Sequence, residues 1–118
     1  MSVFPDDRPL QEATDADLRQ LIFEHPYVLV KFVDDDCLIC KAIAPRLTAL
    51  ARDPRFAHVL FLRTNAGENP VAAQEIGFTQ APFIVAYRDG RLKHCETVFT
   101  EGRVEEILLE CLAPEEVV

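Results

Sequence analysis

The residues best suited to chemistry are two cysteines separated by two residues, Cys37 and Cys40. On a helix this spacing places their Cβ atoms roughly 5–6 Å apart, and a small local adjustment would allow them to form a disulfide. A helix N-terminus stabilises a thiolate, which is the nucleophile in thiol–disulfide exchange. The outer thiolate of such a pair can attack a substrate disulfide, and the inner one can resolve the mixed disulfide. The alternative is a pair of helix cysteines that only pack.

The other two cysteines, Cys95 and Cys111, each stand alone in the sequence. A structural zinc site usually needs a second close pair, so we expect no metal and no cofactor. Free cysteine behaves as a small apolar side chain, and we therefore expect both residues in the core. A secreted disulfide scaffold would be richer in cysteine, whereas a lone CxxC in a domain of this composition indicates a redox pair.

Composition limits the class of protein and its partners. A chain of 118 residues, 49% of them hydrophobic, predicts one globular domain over 1–118, with its core at about 10–112 and short loose termini. The formal net charge is −8 with no basic run, which argues against binding to nucleic acid or to an anionic membrane. No apolar stretch approaches the ~18 residues of a membrane span, and residues 1–9 do not resemble a secretory signal. We therefore expect a cytoplasmic protein.

Apolar periodicity and turn residues predict alternating strands and helices. Thr14, with Asp17 three residues later, is expected to cap the first helix, Gly77 to end a short one, and Gly90 to complete a hairpin turn. The expected order is a weak edge strand at 10–13, a helix at 14–24, a strand at 27–33, a helix at 38–51, a strand at 58–63, a helix at 69–75, strands at 83–87 and 92–99, and a helix at 102–112. This order predicts an α/β fold with a mixed sheet between helices.

Two segments resemble the thioredoxin family, FVDDDCLICKAIAP at 32–45 and NPVAAQEIGFTQAPFIVAYRDG at 69–90. Lys41 directly after the second cysteine and Pro45 eight residues after the first match family positions, and the resemblance extends over about 10–112. It implies the thioredoxin fold, a central mixed β-sheet flanked by helices.

The resemblance also implies roles for individual residues. Cys37 would be the attacking thiol and Cys40 the resolving thiol, with Pro82 a cis-proline beside them. The backbone of Ala81 would pair with an extended substrate segment like an added strand. The implied function is a thiol–disulfide oxidoreductase that reduces disulfides in protein clients, with a thioredoxin-reductase-type enzyme as a candidate electron donor. Two alternatives remain open: a non-catalytic binding module that acts as an adaptor or chaperone, and a redox sensor that uses the same surface.

The residues around the cysteines depart from the family pattern. Leu38 and Ile39 replace the usual Gly-Pro, and either form an exposed apolar tip that binds substrate or turn inward. Three acidic residues, 34–36, precede Cys37, and Asp36 stands where the family commonly has an aromatic residue. We expect Asp36 to cap the helix, and its charge to oppose formation of the Cys37 thiolate.

Lys31 is the largest departure, since it lies where thioredoxins keep a buried aspartate. A charged lysine cannot deprotonate the resolving cysteine as a carboxylate does. If it is buried near the cysteines, it would favour both thiolates by attraction. Otherwise its ammonium reaches solvent at the end of the sheet. Lys31 and Asp36 are thus candidates for tuning the acidity of the thiols, in opposite directions.

Overall fold

The computed structural model describes residues 10–114. The strands are β1 (Gln11–Glu12), β2 (Tyr27–Val33), β3 (Leu60–Asn65), β4 (Phe83–Arg88) and β5 (Arg91–Thr97). The helices are α1 (Asp15–Glu24), α2 (Leu38–Arg52), α3 (Pro70–Glu75) and α4 (Glu101–Cys111), with a short 3₁₀ turn at Pro54–Phe56.

The strands form one mixed sheet in the order β1-β3-β2-β4-β5. The pairs β1–β3 and β2–β3 are parallel, whereas β2–β4 and β4–β5 are antiparallel. The apolar run of β2 places it beside β3 and β4, where helices cover both of its faces. A tight turn at Asp89 and Gly90, both with positive φ, joins the last two strands as predicted.

The helices cover the sheet on both sides and bury two apolar clusters. The helices α1 and α3 cover one face, with Leu18, Ile22 and Ala72 packing against it. The other face is covered by α2 and α4, through side chains that include Leu47 and Ile107. The predicted α/β class and the mixed sheet between helices are confirmed.

Local signals in the sequence set most of the element ends. The Asp17 carboxylate accepts the backbone N–H of Thr14 at 2.6 Å, which satisfies a donor at the start of α1. After α3 the chain turns at Gly77, whose φ of +69° is accessible to glycine at little cost. The third strand begins two residues later than predicted, because the turn that starts at Pro54–Phe56 continues to Val59, whose N–H bonds to the Phe56 carbonyl at 3.0 Å.

None of the helices within residues 10–114 is long and apolar enough to cross a membrane.

Candidate redox site

Cys37 and Cys40 are joined by a disulfide, with their Cα atoms 5.2 Å apart. Cys37 lies at the end of the loop that connects β2 to α2, and it is the N-cap residue of α2. Its Sγ accepts the backbone N–H of Cys40 at 3.0 Å. Cys37 is half-buried, whereas Cys40 is only 5% exposed. The sulfur of Cys37 is therefore the one that a partner can reach, and an N–H donor points at it.

The prediction that Asp36 caps α2 is wrong, because Cys37 occupies the N-cap position. Asp36 is exposed in the loop before the helix. The Cys37 N–H donates to the Asp34 carbonyl at 3.2 Å in a turn before the helix, which begins at Leu38 as predicted. The effect of the Asp36 charge on Cys37 stays a prediction.

The peptide bond between Ala81 and Pro82 is cis, as the family resemblance implied. Ala81 packs with Val33 and Cys40 in a small apolar cluster that Cys37 also contacts. The Pro82 carbonyl accepts the Val98 N–H at 2.9 Å, which fixes the segment to the chain after β5. No hydrogen bond within residues 10–114 uses the backbone N–H or carbonyl of Ala81. These groups lie beside the disulfide and can pair with an extended chain.

The two residues between the cysteines have different environments. Leu38 is 78% exposed. Ile39 is half-buried and packs against the core cluster beneath α2 and α4. The expectation of an apolar tip formed by both residues therefore holds for Leu38 alone. Consecutive helix residues point in directions about 100° apart, so one of the two faces the core when the other faces solvent.

Lys31 is buried at 2% exposure, which excludes the alternative that its side chain reaches solvent. Its ammonium Nζ donates to the backbone carbonyl of Cys40 at 3.5 Å. The side chain thus crosses from β2 to the first turn of α2, directly behind the redox pair. Its influence on the thiols stays a prediction at this point.

Two buried asparagines support the acidic loop: Asn65, which had no predicted role, bonds to it, and Asn69, predicted to open α3, bonds to Asn65. Asn65, at the end of β3, donates through Nδ2 to the Asp35 carboxylate at 3.0 Å. Its Oδ1 accepts the backbone N–H of Gly67 at 2.9 Å, and its carbonyl accepts Nδ2 of Asn69 at 3.0 Å. The signal in the sequence that could have indicated this role was an amide side chain at the end of an apolar strand. The two asparagines tie the loop before Cys37 to the neighbouring strand end.

The remaining cysteines and histidines lie away from the pair. Cys95 and Cys111 are free and half-buried, and each packs against one of the two core clusters, where core positions were expected. Burial raises the pKa of the Cys111 thiol, which disfavours its thiolate. His94 bonds to the Glu96 carboxylate at 2.6 Å. Among the described residues there is no cluster of three or more metal-ligating side chains.

Comparison with known proteins agrees with this geometry. The family model described as Thioredoxin matches residues 9–112. The chain belongs to the thioredoxin family. Over 76 residues it is 34% identical to a thioredoxin-like protein of Fusarium culmorum, covering 64% of this chain and 63% of that protein. Over 91 residues, or 75% of this chain, it is 32% identical to protein disulfide-isomerase A2 of Pongo abelii, of which the match covers 17%.

Solved structures show the same fold. Fasciola hepatica thioredoxin superposes with a TM-score of 0.79 at 28% identity, covering 86% of this chain and 99% of that one. Oxidised mitochondrial thioredoxin 3 of Saccharomyces cerevisiae gives a TM-score of 0.81 at 24% identity, covering 89% and 98%. The thioredoxin fold predicted from the sequence is confirmed.

Proposed function

We propose that this protein is a thiol–disulfide oxidoreductase that reduces disulfides in protein clients. The observation that carries the proposal is the Cys37–Cys40 disulfide at the N-terminus of α2, with one accessible and one buried sulfur. The cis bond before Pro82 supports binding of an extended client segment, as does the Ala81 backbone, whose N–H and carbonyl make no hydrogen bond within residues 10–114.

In the proposed reaction the reduced protein transfers two electrons to the client. The Cys37 thiolate attacks one sulfur of a client disulfide, forms a mixed disulfide and releases the first client thiolate. The Cys40 thiolate then attacks Sγ of Cys37, which re-forms the internal disulfide and releases the second client thiolate. The leaving thiolates take up protons from water. The donor that reduces the pair again is proposed to be a thioredoxin-reductase-type enzyme, in a reducing compartment such as the cytoplasm.

The test is reduction of insulin disulfides with dithiothreitol as the electron source. We expect wild type to accelerate the reaction and Cys37→Ser to abolish the acceleration. Cys40→Ser, reduced beforehand and freed of dithiothreitol, should accumulate a client linked to Cys37. The free cysteines provide the matched controls, Cys95→Ser and Cys111→Ser, which should remain active. Equal rates for wild type and Cys37→Ser would overturn the proposal.

The second candidate is a binding module of the same fold that holds clients without turnover. The high exposure of Leu38 favours this candidate, together with the Ala81 backbone, which makes no hydrogen bond within residues 10–114. Both can bind a client without any sulfur chemistry. Capture of clients by wild type, Cys37→Ser and Leu38→Asp separates the two functions. Clients held through a disulfide support catalysis. Capture that survives Cys37→Ser and is lost in Leu38→Asp supports the binding module.

A further inference from the structure

The buried lysine behind the redox pair is the charged group that the proposed reaction leaves unused. No other Lys, Arg, Asp or Glu whose burial the structure describes is as buried as Lys31. Its hydrogen bond to the Cys40 carbonyl, at 3.5 Å, places the ammonium beside the backbone of that cysteine. Cys40 is itself buried. A cation held in such a site acts through a medium of low polarity, where charges interact more strongly than in water.

Other charged groups surround this site, and most are exposed or bound to partners of their own. On β3, Arg63 is the register neighbour of Lys31 and donates to the Glu12 carboxylate at 2.8 Å. Two strands from Lys31, on β5, the Glu96 carboxylate binds Arg103 of α4. Further charged groups on the elements that pack over this face are Lys41, Arg46 and Arg52 on α2, Glu105, Glu106 and Glu110 on α4, and the loop carboxylates Asp34, Asp35 and Asp36.

We propose that Lys31 is a positioning residue whose ammonium stabilises the thiolate of Cys40 after the disulfide is reduced. This inference rests on the proposed function only in treating the pair as redox-active. The opposing carboxylates are exposed and precede Cys37, so salt and water screen them. The side chain of Lys31 is buried, so salt and water screen its charge much less. The charge that governs Cys40 is therefore the buried cation, and the acidic loop acts mainly on Cys37.

This role predicts a pH-dependent effect on the stability of the disulfide. Two glutathione molecules reduce the pair to two thiols and leave as one glutathione disulfide, with two electrons transferred. Cys40 then ionises by losing its proton to solvent, and Lys31 stabilises the product. Below the pKa values of both thiols no thiolate forms, and the charge of Lys31 has little effect on this equilibrium. Above them, the ammonium shifts the equilibrium toward the reduced pair.

The experiment measures the equilibrium of the Cys37–Cys40 disulfide with glutathione from about pH 6 to about pH 9, on both sides of the ordinary thiol pKa of about 8.5. Wild type is compared with Lys31→Met, Lys31→Gln and Lys31→Arg. We expect the neutral variants to match wild type at low pH. Near pH 9 their equilibrium constant for reduction should be several-fold smaller, approaching about tenfold at a pH above both pKa values, because an opposite charge nearby lowers a pKa by about one unit or more. A tenfold change corresponds to about 30 mV in potential.

The controls separate charge from structure. Lys31→Gln keeps a donor for the Cys40 carbonyl and serves if Lys31→Met does not fold, and Lys31→Arg should keep the wild-type pH profile. At about 1 M salt, where the screening length is about 3 Å, the difference for Lys31→Gln should persist, whereas any effect of Asp36→Asn should fade.

A difference that is the same at every pH, or no difference, would overturn the inference. So would a folded Lys31→Arg that behaves like Lys31→Gln. The measurement needs no client, so a protein inactive toward insulin that still shows this pH dependence would refute the proposed function and leave the role of Lys31 intact.

Discussion

Replacing Leu38 by serine tests whether the exposed residue beside the disulfide binds clients. Complete burial of a leucine side chain contributes about 1.5–3 kcal/mol, and Leu38 starts from 78% exposure. A client that covers most of this surface should gain about 1–2 kcal/mol from it. At about 1.4 kcal/mol per tenfold change, losing that contact weakens binding about five- to thirtyfold. We expect KM for a protein disulfide to rise by this factor, with kcat little changed.

The assay compares steady-state reduction of insulin with reduction of a small chromogenic disulfide. The small substrate cannot cover Leu38, so its kinetics should be the same in wild type and Leu38→Ser. The matched control is Val71→Ser, which removes another apolar side chain, 57% exposed and on a different helix. An unchanged KM for insulin in Leu38→Ser would refute a binding role for this residue. An equal rise for the small disulfide or for Val71→Ser would show that the effect is not client contact.

Two further predictions concern stability. The Arg103 guanidinium, together with His94, lowers the pKa of Glu96 from 4.5 to about 2, so the interaction stabilises the fold above about pH 4.5 and is lost as the pH falls toward 2. A shift of one pKa unit corresponds to about 1.4 kcal/mol, and this value is reduced here because Glu96 is 30% exposed. Glu96→Gln should therefore lower the free energy of unfolding by about 1–2 kcal/mol at neutral pH and by almost nothing near pH 2. Urea unfolding across this pH range measures the difference, with Glu68→Gln as control. Gly77→Ala should cost about 1 kcal/mol, because φ is +69° there and no atom lies within 4 Å of the added Cβ; thermal unfolding measures this cost, and an unchanged midpoint would contradict it.

Much of the fold could be predicted from the sequence, because local patterns of apolar and turn residues specify most of its strands, helices and turns. The apolar run at 27–33 specifies a strand covered on both faces, and that strand lies beside β3 and β4 within the sheet. Gly77 and the Asp89-Gly90 turn end their elements where the sequence indicated. The spacing of Cys37 and Cys40 was enough to expect a disulfide, because two helix residues three positions apart are close to each other in any fold.

The sequence alone determined which residues are three apart, which segments are apolar and where the chain must turn, because these are properties of neighbours along the chain. Tertiary packing decided the rest. It turned Ile39 toward the core and left Leu38 exposed to solvent. It also enclosed Lys31 between β2 and α2, since burial depends on which element packs above a residue. Such contacts join segments distant in sequence, and a local pattern does not encode them.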